Sequence, residues 1–247
     1  MHRFLSVLAV LSFLPSCSLI ASDALSLDYS FDALDFQEKL ETTAGTVPSI
    51  PCGGQLGDTC GTLATMINDP SVSAFCDSST NTCAATVEVR LSYTINLAQQ
   101  SKFPAEAIKF GVRAATLSKV TYWIRQNTLS FATPPFEIFV APETAVDERD
   151  QRAQKLGAMA SLPSKSVACA DMIDPAGDSA AAGAQVCRLP LDNAGRSALQ
   201  TFAADYQTPF KLLVHGTGML KAGDPIPTGT IGFSVRPTVA LAISTSL

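Results

Sequence analysis

Over residues 87–97 the apolar side chains of Val87, Val89, Leu91, Tyr93, Ile95 and Leu97 alternate without a break with Glu88, Arg90, Ser92, Thr94 and Asn96. A period of two puts the two sets on opposite faces of one β-strand. A strand with one apolar and one polar face belongs to an antiparallel sheet, because parallel strands are covered on both faces and read as continuous apolar runs. The apolar face must be buried, so a chain carrying this segment has to supply a second layer.

Shorter alternations recur along the chain. Leu25, Leu27, Tyr29 and Phe31 predict an early strand, followed by a polar linker up to residue 50. Val120, Tyr122 and Ile124 predict another, then Leu129 with Phe131, then Phe136, Ile138 and Val140 after Pro134 and Pro135. Prolines cannot donate to a ladder, so this pair marks a strand start or an edge. Residues 210–220 and the odd positions Ile231, Phe233, Val235, Val239, Leu241 and Ile243 complete the set. Pro237 interrupts the last series and predicts a bulge, or a strand bending from one sheet to the other. The even positions there (Gly232, Ser234, Thr238, Ala240, Ala242) are small and read as a lightly decorated solvent face.

Helical signals are fewer. Asp192 is placed to cap a helix over 193–206, with Leu199, Phe202, Ala203 and Tyr206 on one stripe. Pro104 suits a helix start, while Ile108, Phe110 and Val112 fit a helix or a strand. In the charge run 147–155, Glu148 and Arg152 are four apart, as in a solvated helical turn. The fold class expected is mainly β: an antiparallel β-sandwich with one or two short helices and a small disulfide-stapled segment, a closed barrel being the alternative.

The stapled segment spans 52–83. Cys52, Cys60, Cys76 and Cys83 follow one another at intervals of 8, 16 and 7 residues among Gly, Asp, Asn and Ser. Structural zinc sites pair ligands two to four residues apart, and no such pair exists here, so disulfides are expected, in one of three pairings. Cys169 and Cys187 bracket an Asp-, Ala- and Gly-rich stretch and predict a bridge that clips a surface loop, a contribution of roughly 3 kcal/mol. Asp171, Asp174 and Asp178 within it lack the pattern of a calcium loop. No metal or cofactor site is predicted.

Composition narrows the class further. With 47% apolar residues the chain is not disordered, and a net charge of −5 gives no basic footprint for nucleic acid. Arg3 begins an N-terminus whose residues 4–14 carry no charge. That run is eleven residues long, against roughly 20 needed to cross a bilayer, and reads as the core of a secretory signal peptide. Leu14-Pro15-Ser16-Cys17, directly behind it, resembles the cleavage box of bacterial envelope lipoproteins, a resemblance confined to the first 17 residues. It implies removal of 1–16, a diacylglycerol on Cys17 and, with Ser18 beside it, an outer-membrane address. Ordinary cleavage after Ser18, or near Ala21 and Ser22, releases a soluble secreted protein instead. Either way Cys17 leaves the thiol count, and six cysteines remain to pair in an oxidising compartment. The expected organisation is a signal peptide (1–16), an N-terminal strand and linker (17–51), the Cys-rich segment (52–83) and a sandwich domain (84–247).

Catalytic signals are sparse. With the leader gone, His215 is the one histidine, so any Ser-His-Asp relay depends on it and a two-histidine metal site is excluded. No G-x-S-x-G elbow, P-loop or dinucleotide fingerprint occurs. Trp123 falls on the strand face opposite Tyr122, a candidate binding residue if that face is bare and a core residue if another layer covers it. The expected function is that of a non-catalytic envelope or secreted binding or structural protein. It reaches the membrane through its lipid and holds an envelope protein, a glycan or a small apolar ligand. An exported hydrolase using Asp or Glu with His215, or a secreted protease inhibitor, are the alternatives.

Overall fold

The computed structural model describes residues 24–40, 42, 45–53, 60–67, 69, 71–100, 102–169 and 185–244. Its spine is a pair of 16-residue antiparallel strands, β5 (Val112–Asn127) and β10 (Gly229–Ser244). On the far side of β10 two short strands share one ladder. β1 (Ala24–Ser30) pairs with residues 238–244, and β2 (Leu34–Leu40) pairs with residues 229–235. β8 (Cys187–Arg188) caps the other edge of this first sheet. The second sheet runs in the order β3 (Val72–Asp77), β4 (Thr82–Ile95), β9 (Phe210–Leu220), β6 (Phe136–Pro142), β7 (Gln154–Met159), antiparallel throughout.

The two sheets face one another as an antiparallel β-sandwich, with separate ladders in place of the continuous ring a barrel requires. Phe233 of β10 is fully buried and stacks on Phe36 of β2 at 5.3 Å and on Phe136 of the opposite sheet at 5.9 Å. The long alternation of β4 holds, with Val87 and Val89 buried and Glu88 and Arg90 turned outward.

Pro237 sits where β10 changes partner, between the Val235↔Leu34 and Thr238↔Ser30 pairs. Its carbonyl accepts from the Phe31 amide at 3.0 Å. In an antiparallel strand the N–H and C=O of a residue point the same way, so the missing donor falls at the break between β1 and β2. A register shift follows between Thr238 and Val239, which is the expected bulge, but β10 stays in one sheet and does not bend into the other. Its small even positions are more covered than a solvent face: Gly232 and Ser234 are buried, and the Ser234 hydroxyl donates to Asp35 Oδ1 at 2.5 Å.

Three further expectations are corrected. Residues 34–40, read as linker, form β2, whose inward positions are Leu34, Phe36, Glu38 and Leu40. The acid at the third of these hides the period. Leu129 and Phe131 belong to an irregular connection rather than a strand, although Leu129 is buried. Residues 147–152 form consecutive turns, not a helical one. The Asp147 and Asp150 carboxylates accept from the backbone amides two residues on, of Arg149 and Arg152, each at 2.9 Å. Aspartates that close such local bonds favour turns over helix.

Three helices appear among the described residues. α1 (Gly61–Ile67) packs on β3 and β4. α2 (Ala105–Phe110) follows Pro104 and ends at Gly111, whose φ of 80° releases the chain directly into β5, so the ambiguous segment is a helix and then a strand. α3 (Asn193–Ala204) starts behind Asp192, which stands at the N-cap position without the expected side-chain cap bond, and ends two residues early. It packs on β5, β6 and β7, bridging the flank of the two sheets. Gly195 permits this approach, since a Cβ there would lie 2.1 Å from the Lys155 carbonyl oxygen.

The bridges are Cys52–Cys76, Cys60–Cys83 and Cys169–Cys187. Cys76 and Cys83 are opposite each other in the β3–β4 pair, so two interleaved staples hang from one rung of a hairpin. Disulfides of this kind mark an exported protein.

Two predictions follow from the framework. Replacing Cys60 and Cys83 together by Ser frees a 23-residue separation and should lower stability by about 3 kcal/mol, a fall of roughly 6–12 °C in thermal midpoint measured by calorimetry. Burial, and then the charge of Asp69, push the Glu38 carboxyl above its usual range. The stability tied to this group is complete below about pH 4 and is lost as pH rises through the raised folded value. Glu38→Gln should therefore raise the midpoint at about pH 7 and leave it nearly unchanged at about pH 3.5.

Candidate functional site

At one end of the second sheet β4 runs out, β6 ends and β9 begins, and the first sheet contributes the connection 31–33, opposite the middle of β10. The sheets part there around an open groove of about 520 Å³. Its walls include Asp32, Tyr93, Asn96, Gln99, Gln100 and Glu143. Tyr93 occupies an inward position of the β4 alternation, but cover is thin at this end. Its ring meets Phe36 edge-on at 6.1 Å and remains 39% exposed. A 3₁₀ turn (Leu97–Gln99) then brings the two glutamines round.

The wall is cross-tied before any ligand arrives. Gln100 Oε1 accepts from the Tyr29 hydroxyl and from the Asp32 backbone amide, the latter at 3.1 Å. A backbone N–H can only donate, so the amide oxygen must face it, which leaves the NH₂ end of Gln100 turned away from that contact. Burial, and then the Asp32 charge, raise the Tyr29 hydroxyl above its ordinary range, which keeps it a donor. Asn96 Oδ1 is buried with no hydrogen-bond partner among the described residues. Sequence reading missed this groove. Its one signal was the cluster of amides, Asn96, Gln99 and Gln100, directly after the alternating strand.

A second cluster lies on the outer face of the same sheet. The β4–β9 register sets Arg90 opposite His215 and Glu88 opposite Thr217. The 143–153 loop folds over this face, its Ala145 packing with Ala141 and Leu213 and its Ala145 carbonyl accepting from Lys211 Nζ at 3.0 Å. It delivers Glu148 to 3.4 Å from Arg90 Nε and 3.8 Å from His215 Nε2. His215 Nε2 also lies 3.1 Å from both Glu88 Oε1 and Thr217 Oγ1.

This geometry is not a nucleophile–base–acid relay. Such a relay uses the two ring nitrogens for different partners, whereas here one nitrogen meets both the hydroxyl and the carboxylate. Nor is it a ready cation site, although ligand atoms of Glu88, Glu148 and His215 fall within 4.8 Å of one another. Arg90 and Arg149 already contact the same carboxylate oxygens. The cluster is a charge-balanced latch that holds the loop, whose first residue, Glu143, lines the groove. Arg152 pairs with Asp150 at 2.7 Å instead of with Glu148, and that contact holds the Asp150 carboxyl down to about 2.

Trp123 is 4% exposed. Val186 and Ala33 pack on it and the Arg236 guanidinium lies 5.2 Å from its ring, so it is the covered residue of the two alternatives and presents no contact surface. Val186 is held there by its neighbour Cys187, bridged to Cys169. Cys17, the leader, and Asp171, Asp174 and Asp178 lie outside the described residues. Between the sheets, beneath Glu38, lies a cavity of about 10 Å³, room for at most one water.

No protein-family model matches the chain, and no curated protein matches it. Among solved structures, a chain from the structure of turnip yellow mosaic virus at 100 K overlaps 90% of this chain and 97% of its own length, at 10% identity and a TM-score of 0.27. An overlap that loose carries no argument. What the fold and the bridges define is a class, the exported, disulfide-stapled antiparallel β-sandwich.

The latch generates a prediction. Glu148→Gln removes one arm of a partly exposed network worth about 1 kcal/mol. Hydrogen exchange at the Ala145 and Ala153 amides, which bond to Pro142 and Asp150 carbonyls within the loop, should accelerate about fivefold while exchange in β9 stays unchanged.

Proposed function

We propose that the chain is a non-catalytic exported binding protein, anchored in the outer membrane by a lipid on Cys17, and that the groove at the end of the second sheet is where it holds its partner. The observation that carries this reading is the cross-tied wall of the groove. The Gln100 side chain, fixed by the Tyr29 hydroxyl and the Asp32 backbone amide, loses little freedom when a ligand arrives, and preorganisation of this kind is what turns a concavity into a site.

Placement supports it as well. The chain enters the sandwich at Ala24 and reaches the groove only after β1, seven residues or roughly 20 Å further on. A lipid on Cys17 would therefore leave the groove a strand's length from the point where the anchored segment joins the body. The small volume beneath Glu38, about 10 Å³, speaks against an apolar ligand carried at that point between the sheets. The shared nitrogen of His215 speaks against the hydrolase alternative.

The test has two parts. Intact mass of the mature protein from its native host should show a diacylated N-terminal Cys17 and a gain of six hydrogens on reduction. Thermal unfolding should then be followed with the polysaccharide, protein and lipid fractions of that envelope. A midpoint rise with at least one fraction, abolished by joint Asn96→Ala and Gln99→Ala replacement, is the expected outcome. No shift with any fraction overturns the binding reading.

A further inference from the structure

Resting on the binding reading, the chemistry of the groove points to a ligand class: we infer that it takes a short, uncharged oligosaccharide. The walls offer three planar amides (Asn96, Gln99, Gln100), two carboxylates (Asp32, Glu143) and a half-exposed tyrosine ring, and among the described residues no Lys, Arg or His lines them. Each sugar hydroxyl is at once donor and acceptor. A pair of neighbouring hydroxyls matches the two-atom edge of the Gln99 amide or of a carboxylate, while Asn96 and Gln100, whose oxygens are buried or occupied, have their NH₂ groups to offer.

Competing ligands fit less well. A uronate, phosphate or nucleic acid would bring negative charge toward Asp32 and Glu143, with no cation among the described wall residues to receive it. An apolar ligand would strip water from the amides and carboxylates and return no hydrogen bonds, at a cost of about 1–3 kcal/mol for each unsatisfied group. An extended peptide gains affinity by adding to a sheet edge, and this groove crosses strand ends rather than running along an edge.

The details favour a polyol. The oxygen of Gln100 is occupied by Tyr29 and the Asp32 amide, so Gln100 meets the ligand as a donor, while the carboxylates can only accept. The Tyr93 ring, supported edge-on by Phe36, supplies a flat apolar surface for the C–H face of a pyranose, the pairing of an apolar body with polar rims that aromatic side chains serve well. The volume, about 520 Å³, lies within the roughly 300–1,000 Å³ of small-ligand sites.

The experiment is calorimetric titration of the mature, disulfide-intact protein with cellotetraose, maltotetraose and tetra-N-acetylchitotetraose. Tetragalacturonate and spermine serve as anionic and cationic counterparts. Expected is saturable binding of at least one neutral tetrasaccharide and none of tetragalacturonate. Tyr93→Ala should weaken that binding at least tenfold, while Tyr93→Phe, which keeps the ring, stays within about threefold of the native protein. Unfolding midpoints of both variants establish that they are folded. Binding of spermine or tetragalacturonate in preference to the neutral sugars, or neutral-sugar binding that survives Tyr93→Ala, overturns the assignment. If no sugar binds but an envelope protein or lipid fraction still shifts the native midpoint, the sugar assignment falls and the binding reading stands. If no probe and no fraction acts, both fall.

Discussion

Phe233 lies between Phe36 and Phe136, fully buried, and the contact it makes across the sandwich is the one on which the other elements rely. Two sheets with alternating faces are stable only while their apolar sides exclude water together. At the level of β10 that exclusion is complete. Toward the end of β4 it is not, and Tyr93 emerges because the same period of two continues past the edge of its cover. The groove is thus a by-product of the core. It forms where the pattern outruns the layer that buries it.

The parts of the fold that were legible in the sequence are those in which one local signal decides. The run at 87–97 needs no tertiary knowledge to be a strand, and Pro134 with Pro135 places the start of β6. Asp192 marks the start of α3 by position, its side chain making no cap bond. Legibility failed where a residue serves two ends. Glu38 faces inward on β2, so its charge masks a strand that Leu34, Phe36 and Leu40 otherwise spell out. Asp147 and Asp150 close turns where charge spacing alone suggests a helix.

The candidate site was legible only in fragments. Its walls come from four places in the chain, the β1–β2 connection, the end of β4 with the turn behind it, the residue after β6 and the residue before β9. No spacing rule links Asp32 to Gln100 or to Glu143. The same holds for the latch, where the β4–β9 register and a folded loop bring residues 88, 148 and 215 together. Trp123, the aromatic that stood out by type, is the one the structure covers, whereas Tyr93, unremarkable within its strand, is the one left half bare.

The interleaved staples on the β3–β4 hairpin have a consequence beyond stability. β3 is the outermost strand of its sheet, and an outermost strand is the natural point at which one copy could peel open and lend its free backbone to the next. With Cys76 tied back to Cys52, and Cys83 across the rung tied to Cys60, that strand cannot swing out without breaking covalent bonds. The crosslinks thereby guard the chain against runaway copy-to-copy polymerisation.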